Sequence, residues 1–129
     1  MIAEAQVVKW PCLTESEVVL RLGRWEVLCF GYCSLSAEVE SGKVYKVDIT
    51  PNVMGDYDVV RLEGGSEHGF CSLNGYAYLL KGRLSKGGLE IEGVVFDDDV
   101  FESEFFYLDG CDVSWVVDRL DVEFLERIM

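Results

Sequence analysis

Four groups of residues in this 129-residue chain have the types and spacing for chemistry. His68 is the lone histidine, and Cys71 follows three positions later. An imidazole titrates near neutrality, so His68 is the natural general base. With Cys29 and Cys33, the pair His68-x2-Cys71 also offers a set of zinc ligands. An extended 29–33 segment separates its two sulfurs by roughly 13 Å, at about 3.3 Å per residue. One metal reaches both only if Gly31 turns the chain, and cysteines in apolar strands are ordinarily small buried hydrophobes. Asp97-Asp98-Asp99 with Glu102 and Glu104 has the acidity of a calcium loop. The EF-hand pattern needs Gly sixth and Glu twelfth, where this chain places Glu102 and Leu108. Gly64-Gly65 and Gly87-Gly88 match neither phosphate-loop pattern and read as turns. No nucleophile with its base and oxyanion loop stands out. The chain therefore reads as a non-enzyme with no cofactor and no metal.

Charge carries more information than any motif. The chain has 24 acidic and 11 basic residues, a net charge of −13. Affinity for phosphate comes mainly from Lys and Arg, so a general nucleic-acid binder is excluded as the expectation. An anionic membrane surface is disfavoured for the same reason. The excess is concentrated: residues 90–129 hold 13 acidic and 2 basic residues, a net of −11. Interleaved are Phe96, Phe101, Phe105, Phe106, Tyr107 and Trp115. Acidic charge that steers encounter, with aromatic anchors, suits a protein that docks a basic partner. The plain alternative is that the acids confer solubility and the aromatics are core. The five scattered cysteines suit a reduced, cytoplasmic setting better than a disulfide scaffold. The first residues lack the basic start of a secretory signal, and no apolar run approaches a membrane helix.

The elements that must position these groups are β-strands. Glu17–Leu22 and Trp25–Phe30 form a hairpin about Gly23-Arg24, pairing Leu22 with Trp25, Arg21 with Glu26 and Leu20 with Val27. A capping box at Thr14-Glu15-Ser16-Glu17 competes for the start of that segment. Residues 76–84 and 89–96 form a second hairpin about Ser85-Lys86-Gly87-Gly88, with Arg83 opposite Glu90 and Lys81 opposite Glu92. Glycines at 82 and 93 inside these strands indicate bending. Further strands are expected at Gln6–Trp10, Val44–Ile49, Asp58–Leu62 and Asp112–Leu120. A break is expected near Asp118-Arg119, where the apolar parity switches. Residues 121–129 fit either strand or helix, and residues 97–107 fit a helical turn or loop.

With no repeat or Pro/Ser-rich linker, residues 1–129 read as one β-rich domain. Short antiparallel strands must hide their edges. The expected fold is a small, strongly bent, partly open barrel of the OB-like kind, with a β-sandwich as runner-up and at most one or two short helices.

The segments Gly42-Lys43-Val44-Tyr45-Lys46-Val47, Leu89-Glu90-Ile91-Glu92-Gly93 and Val117-Asp118-Arg119-Leu120-Asp121-Val122-Glu123-Phe124 carry a resemblance. The chain resembles small acidic bacterial proteins of unassigned function, some encoded as immunity partners of toxins. That resemblance implies a bacterial cytoplasmic setting and a protein partner. The expected function is a non-catalytic immunity or inhibitor protein docking a basic protein, such as a toxin of the nuclease kind. Its expected surface is Asp97, Asp98, Asp99, Phe101, Glu102, Glu104, Phe105 and Phe106. The alternatives are an enzyme or metal-dependent activity around His68 and Cys71, and an assembly subunit that pairs through β edges.

Overall fold

The computed structural model describes residues 1–10, 17–32 and 39–128. Thr14 to Ser16 and Cys33 lie outside the described residues. The chain opens with four strands, β1 (Ile2–Lys9), β2 (Glu17–Leu22), β3 (Trp25–Tyr32) and β4 (Val44–Asn52). Six follow: β5 (Asp58–Arg61), β6 (Gly69–Ser72), β7 (Tyr78–Ser85), β8 (Gly88–Ile91), β9 (Val94–Asp97) and β10 (Asp112–Val117). A short helix α1 (Asp99–Ser103) and a 3₁₀ turn (Phe106–Leu108) join β9 to β10, and β11 (Arg119–Arg127) ends the described chain.

The chain divides into two compact units, Met1–Asn52 with Arg119–Met129, and Val53–Asp118. The chain leaves the first unit at Asn52 and re-enters it at Arg119, and these two residues pair in one ladder.

The first unit is a closed barrel in the order β1-β2-β3-β11-β4, mainly β as expected, but closed rather than partly open. Alternation builds it. Tyr45, Val47 and Ile49 on β4 and Leu120, Val122 and Phe124 on β11 turn inward and are buried. The β2–β3 hairpin has the expected register, Leu22↔Trp25, Arg21↔Glu26 and Leu20↔Val27. Parity breaks at Asp118, and residues 119–127 are strand, not helix. Not all pairing is antiparallel: β11 runs parallel to β3, with Val122 opposite Gly31. Phe124 fills the core, edge-on to Trp10 at 5.7 Å and Tyr45 at 5.4 Å between centroids.

The second unit is a six-stranded sheet along β5-β10-β7-β8-β9, with β6 also on β7. The β7–β8 hairpin pairs Leu84↔Leu89 and Arg83↔Glu90 as expected. The register stops short of Lys81↔Glu92. Instead of one strand over 89–96, the chain turns at Glu92 (φ 45°) and Gly93 (φ 90°) and returns as β9. Lys81 pairs with Ser114 on β10 and Gly69 on β6. Gly82 is the reason the strands can cross here: a side chain would run into the Glu90 carbonyl and meet Ile91 Cγ1 at 2.9 Å.

Candidate functional site

The acidic segment is shaped by the turn ahead of it. Lys86 (φ 51°) and Gly87 (φ 78°) form the two-residue loop of the β7–β8 hairpin. Both lie in the left-handed region, which suits Gly or Asn far better than Lys. Two hydrogen bonds tie the turn to the acidic segment. The Asp98 amide donates to the Gly87 carbonyl at 3.1 Å, and the Lys86 amide donates to Asp109 Oδ1 at 2.8 Å. A Cβ on Gly87 would meet the Glu102 side chain at 2.7 Å, so glycine lets Glu102 lie against the turn.

Asp98 caps α1. Its Oδ1 accepts from the Val100 amide at 3.0 Å, and its Oδ2 accepts the Tyr57 hydroxyl at 2.6 Å. Burial and this bond push the Tyr57 phenol up to about 12. Tyr57 stacks on Trp115 at 5.7 Å, and Phe101 meets the same indole edge-on at 4.8 Å.

The surface residues expected from sequence thus separate into two sets. Asp98 is a cap, and Phe101 is core at 1% exposure rather than an exposed anchor. The reason is helical spacing: Phe101 falls on the face of α1 that packs over Trp115. Asp97, Asp99, Glu102 and Glu104 are exposed, and none has an ion-pair partner among the described residues. Phe105 is half-buried and Phe106 is 67% exposed. Tyr107, 65% exposed and edge-on to Phe106 at 6.1 Å, belongs with them. The run Phe105-Phe106-Tyr107 was the signal for it. A 3₁₀ turn places successive side chains on different sides, so one face cannot bury all three.

Beside these rings lies an open cavity of about 340 Å³. Leu84, Phe101, Phe105 and Phe106 form its apolar wall. Glu102, Asp109 and Lys86 supply its polar rim.

The other candidate, His68, is placed differently. Its Nε2 lies 3.0 Å from Asp112 Oδ1, and the Gly65 amide donates to Asp112 Oδ2 at 3.0 Å. The His68 bond, seconded by the Gly65 and Ser66 amides, holds the Asp112 carboxyl below its usual range. The pair stitches the 63–68 loop to the start of β10. Cys71 lies on β6 and Cys29 is buried in the barrel unit, where burial pushes its thiol up to about 12. Among the described residues, no group of three or more His, Cys, Asp or Glu could hold a metal ion. Nor is any helix among them long and apolar enough to cross a membrane.

A mainly β protein with a closed barrel and an acidic, aromatic-bearing sheet unit is the class that this fold and site define. The chain belongs to the family described as uncharacterised conserved protein UCP019853, whose model matches residues 1–125. No curated protein and no solved structure matches it.

Proposed function

We propose that the protein is a non-catalytic binding protein that docks a basic protein through the α1–3₁₀ face. The observation that carries this is the adjacent exposed pair Phe106 and Tyr107, set among carboxylates without cation partners among the described residues. A ring left in water costs solubility unless a partner covers it. Unpaired acids around it raise the encounter rate with a basic surface. The second unit carries 14 acidic and 4 basic residues, which gives that field its sign. The finer reading is an immunity or inhibitor protein in a bacterial cytoplasm, with a toxin, such as a nuclease, as partner. The class resemblance of the sequence supports that reading.

The test is affinity capture with the intact protein beside its Phe106→Ala/Tyr107→Ala variant, then kinetics with the captured protein at two salt concentrations. A basic partner, released by the double variant and associating more slowly at high salt, is expected. An acidic partner, or none that depends on the two rings, overturns the proposal.

A further inference from the structure

We propose that the cavity beside Phe106 receives a single arginine side chain of the basic partner. This rests on the docking reading above and adds the residue type that the site selects.

The cavity, at about 340 Å³, suits one long side chain and not a folded element. Three aromatic rings line it, and two of them, Phe105 and Phe106, are open to a ligand. A flat guanidinium stacks on such rings and is weakly hydrated, whereas an ammonium is a compact, strongly hydrated point charge. The rim holds two carboxylates. Glu102 has no hydrogen-bond or ion-pair partner among the described residues. Asp109 spends Oδ1 on the Lys86 amide, and its Oδ2 has no partner among them. Both carboxylates can therefore accept from a fork of N–H donors, the geometry in which arginine exceeds lysine.

Lys86 is the counterweight. Among the described residues it is the one cation on the rim, and it sits at a left-handed position that a lysine occupies at a cost. Its charge offsets part of the Glu102 and Asp109 field and repels an incoming cation. Removing it should strengthen arginine binding, a gain that misfolding cannot mimic.

The experiment titrates the intact protein with N-acetyl-arginine methylamide, its lysine analogue and its citrulline analogue, observed by NMR at Leu84 methyl and Phe105 and Phe106 ring signals. Citrulline keeps the shape and loses the charge. Saturable shifts with arginine are expected, with the other two weaker by about tenfold, the ratio that 1.4 kcal/mol represents. Glu102→Gln should weaken arginine binding by a similar factor, and Lys86→Asn should strengthen it several-fold. Equal response to arginine and citrulline, shifts confined to other residues, or an unchanged Lys86→Asn variant overturns the proposal.

A short lysine-only peptide and its copy with one central arginine separate the two readings. If both bind equally and salt-sensitively at Phe106 and Tyr107, docking stands and the arginine site falls. If neither binds at low salt, docking itself falls.

Discussion

The two units are built from the same kind of strand but differ in net charge and in the rings they leave exposed, Phe106 and Tyr107 in the sheet unit. The barrel unit holds 10 acidic and 7 basic residues, a net of −3, while the sheet unit holds 14 and 4, a net of −10. In the barrel unit acids meet cations: Arg21 with Glu26 at 3.6 Å, Arg119 with Asp121 at 2.7 Å, and Arg127 with Glu40 at 3.5 Å. Arg119 also lies over the Phe30 ring at 4.5 Å. Phe124 is wholly buried between Trp10 and Tyr45. In the sheet unit Asp97, Asp99, Glu102 and Glu104 face water without such partners among the described residues, and Phe106 and Tyr107 stand beside them. Arginines thus hold Glu26, Glu40 and Asp121 in the barrel unit, whereas Asp97, Asp99, Glu102 and Glu104 of the sheet unit are left as an outward field.

Truncating buried rings is the harshest test of the contrast. Phe124→Ala in the barrel and Phe101→Ala in the sheet unit should each cost about 3–5 kcal/mol in denaturant unfolding. Phe106→Ala should change stability by under about 0.5 kcal/mol, as an exposed ring does. If Phe106→Ala destabilised like Phe101→Ala, the ring would be core and the contrast would collapse.

Asp98 and Asp99 are neighbours of the same type with opposite expected behaviour. Asp98→Ala removes a cap and the acceptor of the Tyr57 hydroxyl, and should cost about 0.5–2 kcal/mol. Asp99→Ala should fall within about 0.5 kcal/mol by the same thermal melt.

Asp112 of the His68–Asp112 pair, like Asp98, is an acid of the sheet unit used for stability. Because the folded carboxyl lies below its unfolded value of about 3.9, its contribution is full above that pH. It fades as pH falls through the folded value. Asp112→Asn should cost roughly 1–2 kcal/mol at pH 7, and the gap from the parent should narrow below about pH 4. A gap constant down to pH 2 would mean that the carboxylate charge contributes nothing.

A smaller effect of opposite sign is expected at the turn. Lys86→Asn relieves a left-handed lysine and should raise stability by about 1 kcal/mol in the same unfolding assay. Smallest of all is the joint change Asp97→Asn, Asp99→Asn and Glu104→Gln. It should leave stability within about 0.5 kcal/mol, while slowing association with the captured basic partner at low salt.

Much of this was legible in residues close together along the chain. The registers Arg21↔Glu26 and Arg83↔Glu90 could be read because a short turn fixes which residues face each other, and charge pairing confirms the parity. The break at Asp118 was visible as a switch in apolar parity. The pairing Lys81↔Glu92 failed because Glu92-Gly93 is itself a turn, and a glutamate at positive φ carries no local signal. In the candidate site, the acids and the phenylalanine run were visible. That Asp98 is a cap and Phe101 is core was not, because Tyr57 and Trp115, which hold them, lie 41 and 14 positions away in the chain.

By itself, then, the sequence determined the strands of the two hairpins and most of the others, the turns at Gly23-Arg24 and Lys86-Gly87 and the sign and location of the excess charge, but not β6, the Glu92-Gly93 turn or the strand over 121–127. The features it determined follow from period-two alternation, turn chemistry and a count of ionisable groups, all local or additive. Only the tertiary structure decided that β11 returns to lie parallel to β3, that a second unit is inserted in the barrel's sequence between Asn52 and Arg119, and which rings of 101–107 are covered. Each of these depends on contacts between residues far apart in the chain. A hydrophobic pattern states that a ring prefers burial, but what lies above it is settled only when the distant strand arrives.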